Sequence, residues 1–301
     1  MSGKTKVICI TGGKGGTGKT LVAVNLATMF VNKNYKVLLI DGDVENPNTY
    51  LLMGGKLENK KVVSFFKPTI IKGKCNTCGI CAQNCAPHAL LHLNNTIPIP
   101  MLNLCSGCKL CFKICPTRAI KADSKEIGGI YSLKVNNIDL LLGELKPSEA
   151  RSAAIVEAIL DEFNAMLQYN NIDIVILDTA PGAHCDVELL INTADYIIPV
   201  TEPTSFGILD LNRILELIKL LDKDYQVILN RSSLLGARDE FMEKLKDENI
   251  EILGDIPLDE EIVQSYCQGD PLMGSYNGDK KNKAYIAFEK IFSKLLDWIG
   301  N

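Results

Sequence analysis

The stretch Thr11-Gly12-Gly13-Lys14-Gly15-Gly16-Thr17-Gly18-Lys19-Thr20 constrains this chain more than any other. An apolar run, Val7 to Ile10, precedes it and a helix-like segment, Leu21 to Val31, follows, so the order reads strand, glycine loop, helix. Gly13, Gly18, Lys19 and Thr20 fit G-x-x-x-x-G-K-S/T. In such a loop successive backbone N–H groups and a helix N-terminus surround the β- and γ-phosphates of a nucleotide. Gly15, Gly16 and Thr17 complete the cradle, Lys19 supplies a point charge, and Thr20 offers a hydroxyl to Mg²⁺.

Cysteine usage sets the second constraint. Eight of the eleven cysteines lie between Cys75 and Cys115, as Cys75-x2-Cys78-x2-Cys81-x3-Cys85 and Cys105-x2-Cys108-x2-Cys111-x3-Cys115-Pro116, while Cys9, Cys185 and Cys267 are scattered. This is the bacterial two-cluster ferredoxin spacing, in which three close thiolates grip one cubane and the fourth crosses to the other. Cys75, Cys78, Cys81 and Cys115 are therefore assigned to one [4Fe–4S] cluster, and Cys105, Cys108, Cys111 and Cys85 to the second. A zinc ribbon also uses Cys-x2-Cys pairs, but a duplicated run of three plus one is not its pattern. In the first run Ala86 stands where proline normally follows the cysteine, which is expected to loosen that turn without removing a ligand. Residues 61–127 hold nine Lys/Arg and two Asp/Glu, net +7, against −4 for the chain. Two oxidised cubanes with their thiolates, at about −2 each, offset part of that charge. The lysines are scattered with little aromatic interleaving, so no nucleic-acid partner is expected.

Outside 61–127 the chain alternates strands and helices. Tyr35 to Asp41 and Ile172 to Asp178 read as buried strands ending in carboxylates, and Tyr196 to Val200, Gln226 to Leu229 and Glu251 to Leu253 as further strands. That pattern predicts an α/β fold with a mostly parallel sheet and helices on both faces, residues 1–60 and 128–301, interrupted by a small α+β ferredoxin-like domain at 61–127. At 301 residues the chain has room for both, and 47% apolar with 23% charged residues is an ordinary globular balance. No run of eighteen apolar residues and no charged-then-apolar leader is present, so neither a membrane span nor a signal peptide is expected, and the location expected is cytoplasmic. The last helix, Lys283 to Trp298, is amphipathic but poor in basic residues. It is expected to pack on the sheet rather than lie on a membrane. His88, His92 and His184 sit in no arrangement for nucleophilic catalysis.

Lys14 narrows the reading. A second lysine early in the loop resembles the deviant phosphate loop of the MinD, ParA, Mrp and nitrogenase iron-protein group, and with the cysteine runs the chain resembles MinD-superfamily ATPases carrying an inserted ferredoxin domain, such as those of the orange protein complex. Thr201-Glu202-Pro203-Thr204 and Gly143-Glu144-Leu145 also look like this family. The resemblance implies ATP hydrolysis by a homodimer, or a heterodimer with a related ATPase, in which Lys14 reaches the partner's phosphates. It implies that Asp41 and Asp43 form the first switch, with Asp43 orienting the attacking water. Asp178 to Gly182 would form the second switch, Asp178 holding a Mg²⁺ water or Thr20 and Gly182 presenting an N–H toward the γ-phosphate. Asn230 would read adenine, with the segment around Pro257 packing on the base. Cys185 lies seven residues after Asp178, where the nitrogenase iron protein binds a bridging cluster, but no second cysteine accompanies it and a small buried residue is expected. Three functions are compatible: an ATP-gated electron carrier with an unidentified redox partner, an ATPase that assembles or carries metalloclusters for a client, and a positioning ATPase like MinD or ParA.

Overall fold

The structure, a computed structural model of this chain, describes residues 4–234, 238–274 and 282–300. In chain order the strands are β1 (Lys6–Thr11), β2 (Val37–Asp41), β3 (Lys61–Ile70), β4 (Leu90–Leu91), β5 (Ile99–Pro100), β6 (Ile120–Val135), β7 (Ile138–Leu145), β8 (Ile174–Asp178), β9 (Tyr196–Thr201), β10 (Val227–Asn230) and β11 (Ile252–Ile256). The α-helices are α1 (Lys19–Asn32), α2 (Thr49–Leu52), α3 (Ile80–Gln83), α4 (Leu110–Ile114), α5 (Ser152–Tyr169), α6 (Cys185–Thr193), α7 (Ser205–Leu220), α8 (Arg238–Asp247), α9 (Glu260–Gln268) and α10 (Lys283–Gly300). They fall into two compact units, the first comprising Met1–Lys61, Gly129–Leu145 and Ser152–Asn301, the second Val62–Gly128 and Lys146–Arg151.

In the first unit the strands run in the order β11-β10-β9-β1-β8-β2-β7-β6, and from β11 to β7 every neighbouring pair is parallel. Both faces are covered, which is why these strands read as continuous apolar runs. Ile8, Ile10, Leu39, Ile174, Ile176 and Ile198 join α1 and α10 in one core cluster, while the alternating Cys9, Leu38, Ile40, Val175, Leu177 and Ile197 are equally buried outside that cluster. Phe292 of α10 meets Phe30 of α1 edge to face at 4.7 Å, and Trp298 stacks on Tyr196 at 4.8 Å. The amphipathic C-terminal helix thus spends its apolar stripe on the sheet, and among the described residues no helix is long and apolar enough to cross a membrane.

The return to the sheet after 127 differs from simple strand–helix alternation. β6 and β7 are consecutive strands joined by Asn136 and Asn137, whose φ values of 49° and 63° form the two-residue left-handed turn of a hairpin. Asparagine tolerates that backbone because its short polar side chain bonds locally. Parallel strand order reverses around β1, so the carboxyl ends of β1, β2 and β8 bring Thr11, Asp41 and Asp178 to one crevice.

The second unit is an internal repeat with an offset of thirty residues. Lys72–Lys74 and Leu102–Leu104 are matching 3-10 turns, α3 and α4 matching short helices that pack together, and β4 pairs antiparallel with β5. Left-handed residues recur in register: Thr77 and Gly107 at φ 57° and 72°, Gly79 and Lys109 at 72° and 62°, His88 and Arg118 both at 51°. The Ala89 N–H donates to Cys85 Sγ at 3.2 Å, as the Ala119 N–H does to Cys115 Sγ at 3.2 Å. Ala86 therefore does not loosen its turn: these bonds and a left-handed residue at the third position after the cysteine set the geometry in both copies. Lys146–Arg151 also packs in this unit. Lys146 N–H donates to Ile127 O at 2.8 Å, and Glu149 pairs with Lys125 at 2.9 Å.

Candidate functional site

The glycine loop closes back on β1 and opens α1. Gly16 and Gly18 are left-handed at φ 81° and 94°, and Gly18 also lacks room for a side chain, since a Cβ would come within 2.3 Å of Asn230 Nδ2. Lys19 is buried, and its Nζ donates to Lys14 O at 3.1 Å. Burial lowers its pKa, with Asp178 and Asp43 opposing that shift. Thr20 adjoins Asp178, yet both Asp178 oxygens are wholly buried with no hydrogen-bond partner of good geometry among the described residues, and the buried Thr17 hydroxyl is likewise unpartnered. Burial first, and then the neighbouring Asp41 charge, push the Asp178 carboxyl well above its ordinary range. A buried carboxylate without a donor is costly, and the chemistry of its two oxygens fits a cation.

Asp41 and Asp43 have different tasks, although both end the same strand motif. Asp41 accepts from Asp43 N at 3.0 Å, Asn48 N at 3.0 Å, Thr49 N at 3.1 Å and Thr49 Oγ1 at 2.8 Å. Its carboxylate is turned into the segment that follows β2 rather than toward the crevice, and burial raises its pKa to about 6. Asp43 stays half-buried with one accepted bond, from Asn46 N at 3.3 Å. Burial raises its pKa too, helped by Glu45 and Asp186 and opposed by the Asn46 N–H and by Lys19. A carboxylate shifted up and partly open suits proton acceptance.

The remaining predicted residues surround this crevice. The Gly182 N–H donates to Gly12 O at 3.0 Å, so it braces the glycine loop instead of standing free. Asn230 Nδ2 donates to Thr17 O at 2.7 Å, and its Oδ1 accepts from Arg231 N, tying the end of β10 to the loop. Pro257 follows β11, where Ser232 N–H donates to Ile256 O at 2.9 Å and Leu258 N–H to Ser233 Oγ at 3.0 Å, so the loops after β10 and β11 are neighbours. Lys14 lies 3.7 Å from Glu202 Oε2, whose other oxygen pairs with Arg231. Glu202 was visible in sequence only as part of a family-like stretch without a task. Cys185 is exposed at the start of α6 rather than buried, because the helix begins there and points its first residue outward.

In the second unit the eight cysteines sort into two cavities. One is lined by Cys75, Cys78, Cys81 and Cys115 with Ile70, Pro116 and Ile120, the other by Cys105, Cys108, Cys111 and Cys85 with Phe66, Pro68 and Leu90. Burial pushes the Cys81 thiol up and the Cys111 thiol to about 11, whereas at Cys115 the Ala119 N–H and the Thr117 hydroxyl outweigh burial and hold the thiol below its ordinary value. Among the described residues no three Cys, His, Asp or Glu side chains converge on a point that would hold one metal ion. Sequence gave no sign of Arg151 or of Phe65 here. The Arg151 guanidinium lies 4.4 Å above the Phe65 ring, bonds Leu102 O, lies 3.4 Å from Cys105 O, and pairs with Glu149.

Comparison with known proteins places these features. The profile of the CobQ/CobB/MinD/ParA nucleotide binding domain matches residues 8–272. An uncharacterized protein of Methanocaldococcus jannaschii is 36% identical over 295 residues, covering 97% of each chain. An iron-sulfur cluster carrier protein of Aquifex aeolicus is 23% identical, covering 99% of this chain and 70% of its own length. The septum site-determining protein MinD of Pyrococcus horikoshii, solved with Mg-ADP, superposes with a TM-score of 0.61 at 18% identity, covering 99% of this chain and 98% of that one.

Proposed function

The chain belongs to the CobQ/CobB/MinD/ParA nucleotide-binding family, and on that premise we propose that it is an ATP-hydrolysing iron–sulfur protein coupling nucleotide-dependent dimerisation and switch movement to electron transfer through two [4Fe–4S] clusters. The observation that carries this reading is the sorting of thiols: each cavity takes three cysteines from one run and the last from the other, in one chain with a phosphate loop. Four thiols around each cavity, three from one run and one from the other, fit a cubane better than the paired thiols of a zinc ribbon. On this reading Val62–Gly128 acts as an inserted ferredoxin-like domain. Bound clusters would supply one-electron redox chemistry.

At the nucleotide, Lys19 exchanges its bond to Lys14 O for the β- and γ-phosphate oxygens, and the loop N–H groups from Gly13 to Thr20 neutralise the rest. Asp178 and Thr20 would hold Mg²⁺, which would supply charge neutralisation to the phosphates. Asp43 orients a water for in-line attack on the γ-phosphorus and accepts its proton. Lys14 leaves Glu202 for the γ-phosphate of a partner subunit, another copy or a related ATPase, and Asn230 and Pro257 flank the adenine.

A second reading, cluster assembly or carriage, is favoured by the Aquifex relative and by the exposure of Cys78 and Cys108, which gives an acceptor thiol access to each cavity. One experiment tests both. Protein prepared anaerobically is expected to hold about eight iron and eight sulfide per chain. MgATP dissociation constants are then measured for oxidised and dithionite-reduced Asp43→Asn protein. A coupling of about 1.4 kcal/mol appears as a tenfold difference, and reciprocity requires the cluster potentials to shift equally with MgATP. Zinc without acid-labile sulfide refutes the cluster reading. Equal constants, with iron passing to an added apo-ferredoxin, make carriage the function.

A further inference from the structure

The two cysteine sites repeat each other in turns, helices, left-handed residues and N–H to sulfur bonds, and the repeat is broken by a segment that does not belong to it. Lys146–Arg151 leaves the end of β7, packs in the second unit, and returns the chain to α5. Its Arg151 grips one copy: the guanidinium bonds the Leu102 carbonyl, lies 3.4 Å from the Cys105 carbonyl and 4.4 Å above the Phe65 ring, and is backed by Glu149. The Phe65 ring in turn fills the space over Gly107, where a Cβ would stand 2.4 Å from it, so Phe65, Gly107 and Arg151 fix the Cys105–Cys108 turn together. Both turns close internally in the same way, Cys75 N–H donating to Lys72 O at 3.3 Å and Cys105 N–H to Leu102 O at 3.2 Å, so among the described residues the Arg151 contacts are what the second copy adds.

The residue that precedes this segment belongs to the first unit. Leu145, the last residue of β7, donates its N–H to Val44 O at 2.7 Å, and Val44 follows Asp43 in the first switch. One peptide bond separates Leu145 from Lys146. We propose that Arg151 is a positioning residue that makes the Cys85/Cys105/Cys108/Cys111 site, and not its twin, the one that responds to nucleotide. The inference rests on the ATPase reading of the first unit. It holds for the polypeptide whether the cavities carry clusters that stay or clusters that leave.

The coupling runs through a contiguous path: Asp43 and Val44, the hydrogen bond to Leu145, the Lys146–Arg151 segment, and the carbonyls of the second 3-10 turn. A path of this kind earns its name only from measured coupling. The test is amide hydrogen exchange read by mass spectrometry on the full chain, with and without Mg-AMPPNP, in wild type, Arg151→Ala and Arg151→Lys; iron and sulfide are assayed on the same samples. Expected in wild type is a change of about fivefold to tenfold in exchange of residues 102–111, the lower range of coupling between protein sites, with residues 72–81 unchanged. In Arg151→Ala residues 41–49 still respond while 102–111 do not. Arg151→Lys keeps the charge but cannot fork between a carbonyl and Glu149, so it behaves like alanine. Equal responses in 72–81 and 102–111, no response in 102–111, or an unchanged response in Arg151→Ala would overturn the inference. Missing iron or sulfide with the exchange pattern intact would instead remove the cluster reading and leave the coupling standing.

Discussion

In Asp178→Asn the side chain keeps its shape and loses its charge, and stability and function are expected to move in opposite directions. Asp178 ends β8 in register with Asp41 of β2, is fully buried, and has neither oxygen in a hydrogen bond of good geometry among the described residues. Leaving a buried acceptor unpaired costs about 1–3 kcal/mol, more for a charge. Asn also ends the repulsion from Asp41, while Lys19 loses one of its two acidic neighbours and an amide is left partly unsatisfied. A net gain of about 1–2 kcal/mol follows, worth about 2–8 °C in melting midpoint for a unit of this size. Wild type at a hundred times its Kd for MgADP gains about 2.7 kcal/mol from the ligand, and the variant should lose the magnesium-dependent part of that gain. Thermal melts followed by circular dichroism at pH 7.5, in EDTA and in MgADP, read both quantities. A variant that melts below wild type in EDTA, or that gains as much from MgADP, would refute the assignment of Asp178 as a strained cation ligand.

Two further outcomes are expected. Lys19→Ala abolishes nucleotide binding by calorimetry, whereas Lys14→Ala keeps binding and loses ATP-dependent dimerisation and hydrolysis, checked by light scattering and phosphate release; normal hydrolysis in Lys14→Ala would end the trans role. Asp41 is raised by burial from 3.8 to about 6, so between those pH values the unfolded chain has released a proton that the folded chain keeps. Its contribution to stability is therefore present below the lower value and is lost as pH rises to the upper one, by about 3 kcal/mol at most. Denaturant titrations across that window should show stability falling as pH rises, and an unchanged or rising stability would refute the burial of Asp41 as its cause.

Much of the fold could be read because it rests on local signals. The glycine loop, the apolar strands ending in Asp41 and Asp178, and the amphipathic C-terminal stretch each declare their geometry through a few neighbours in sequence. The β6–β7 hairpin was less legible: Asn136-Asn137 is its only turn signal, and β6 is too long and mixed in burial to alternate cleanly. Thiol spacing grouped the cysteines as the two cavities do, three from one run with the last of the other, because that grouping follows from the run itself. Roles set by long-range contacts were hidden. Asp41 looked like a crevice carboxylate until Asn48 and Thr49 were seen to occupy it, and Arg151 lies 46 residues from the cysteine carbonyl it approaches. No window of sequence carries that information.

The energies of the contacts at the crevice explain how a nucleotide can move them. Lys14 is about one-third exposed and its pair with Glu202 is 3.7 Å long, so it is worth about 0–1 kcal/mol. The Leu145 to Val44 bond is a single N–H···O contact, worth about 0.5–1.5 kcal/mol. Micromolar ATP binding releases about 8 kcal/mol, so both can be broken with most of the affinity retained. Asp41 determines where the motion goes. Its carboxylate holds Asp43 at one end of the segment and Asn48 and Thr49 at the other, so the stretch between them is closed into a loop with a buried anchor and cannot relax by unwinding β2 or α2. Any shift that Asp43 makes toward a bound phosphate is then taken up within that loop, where the Val44 carbonyl is the point attached to β7.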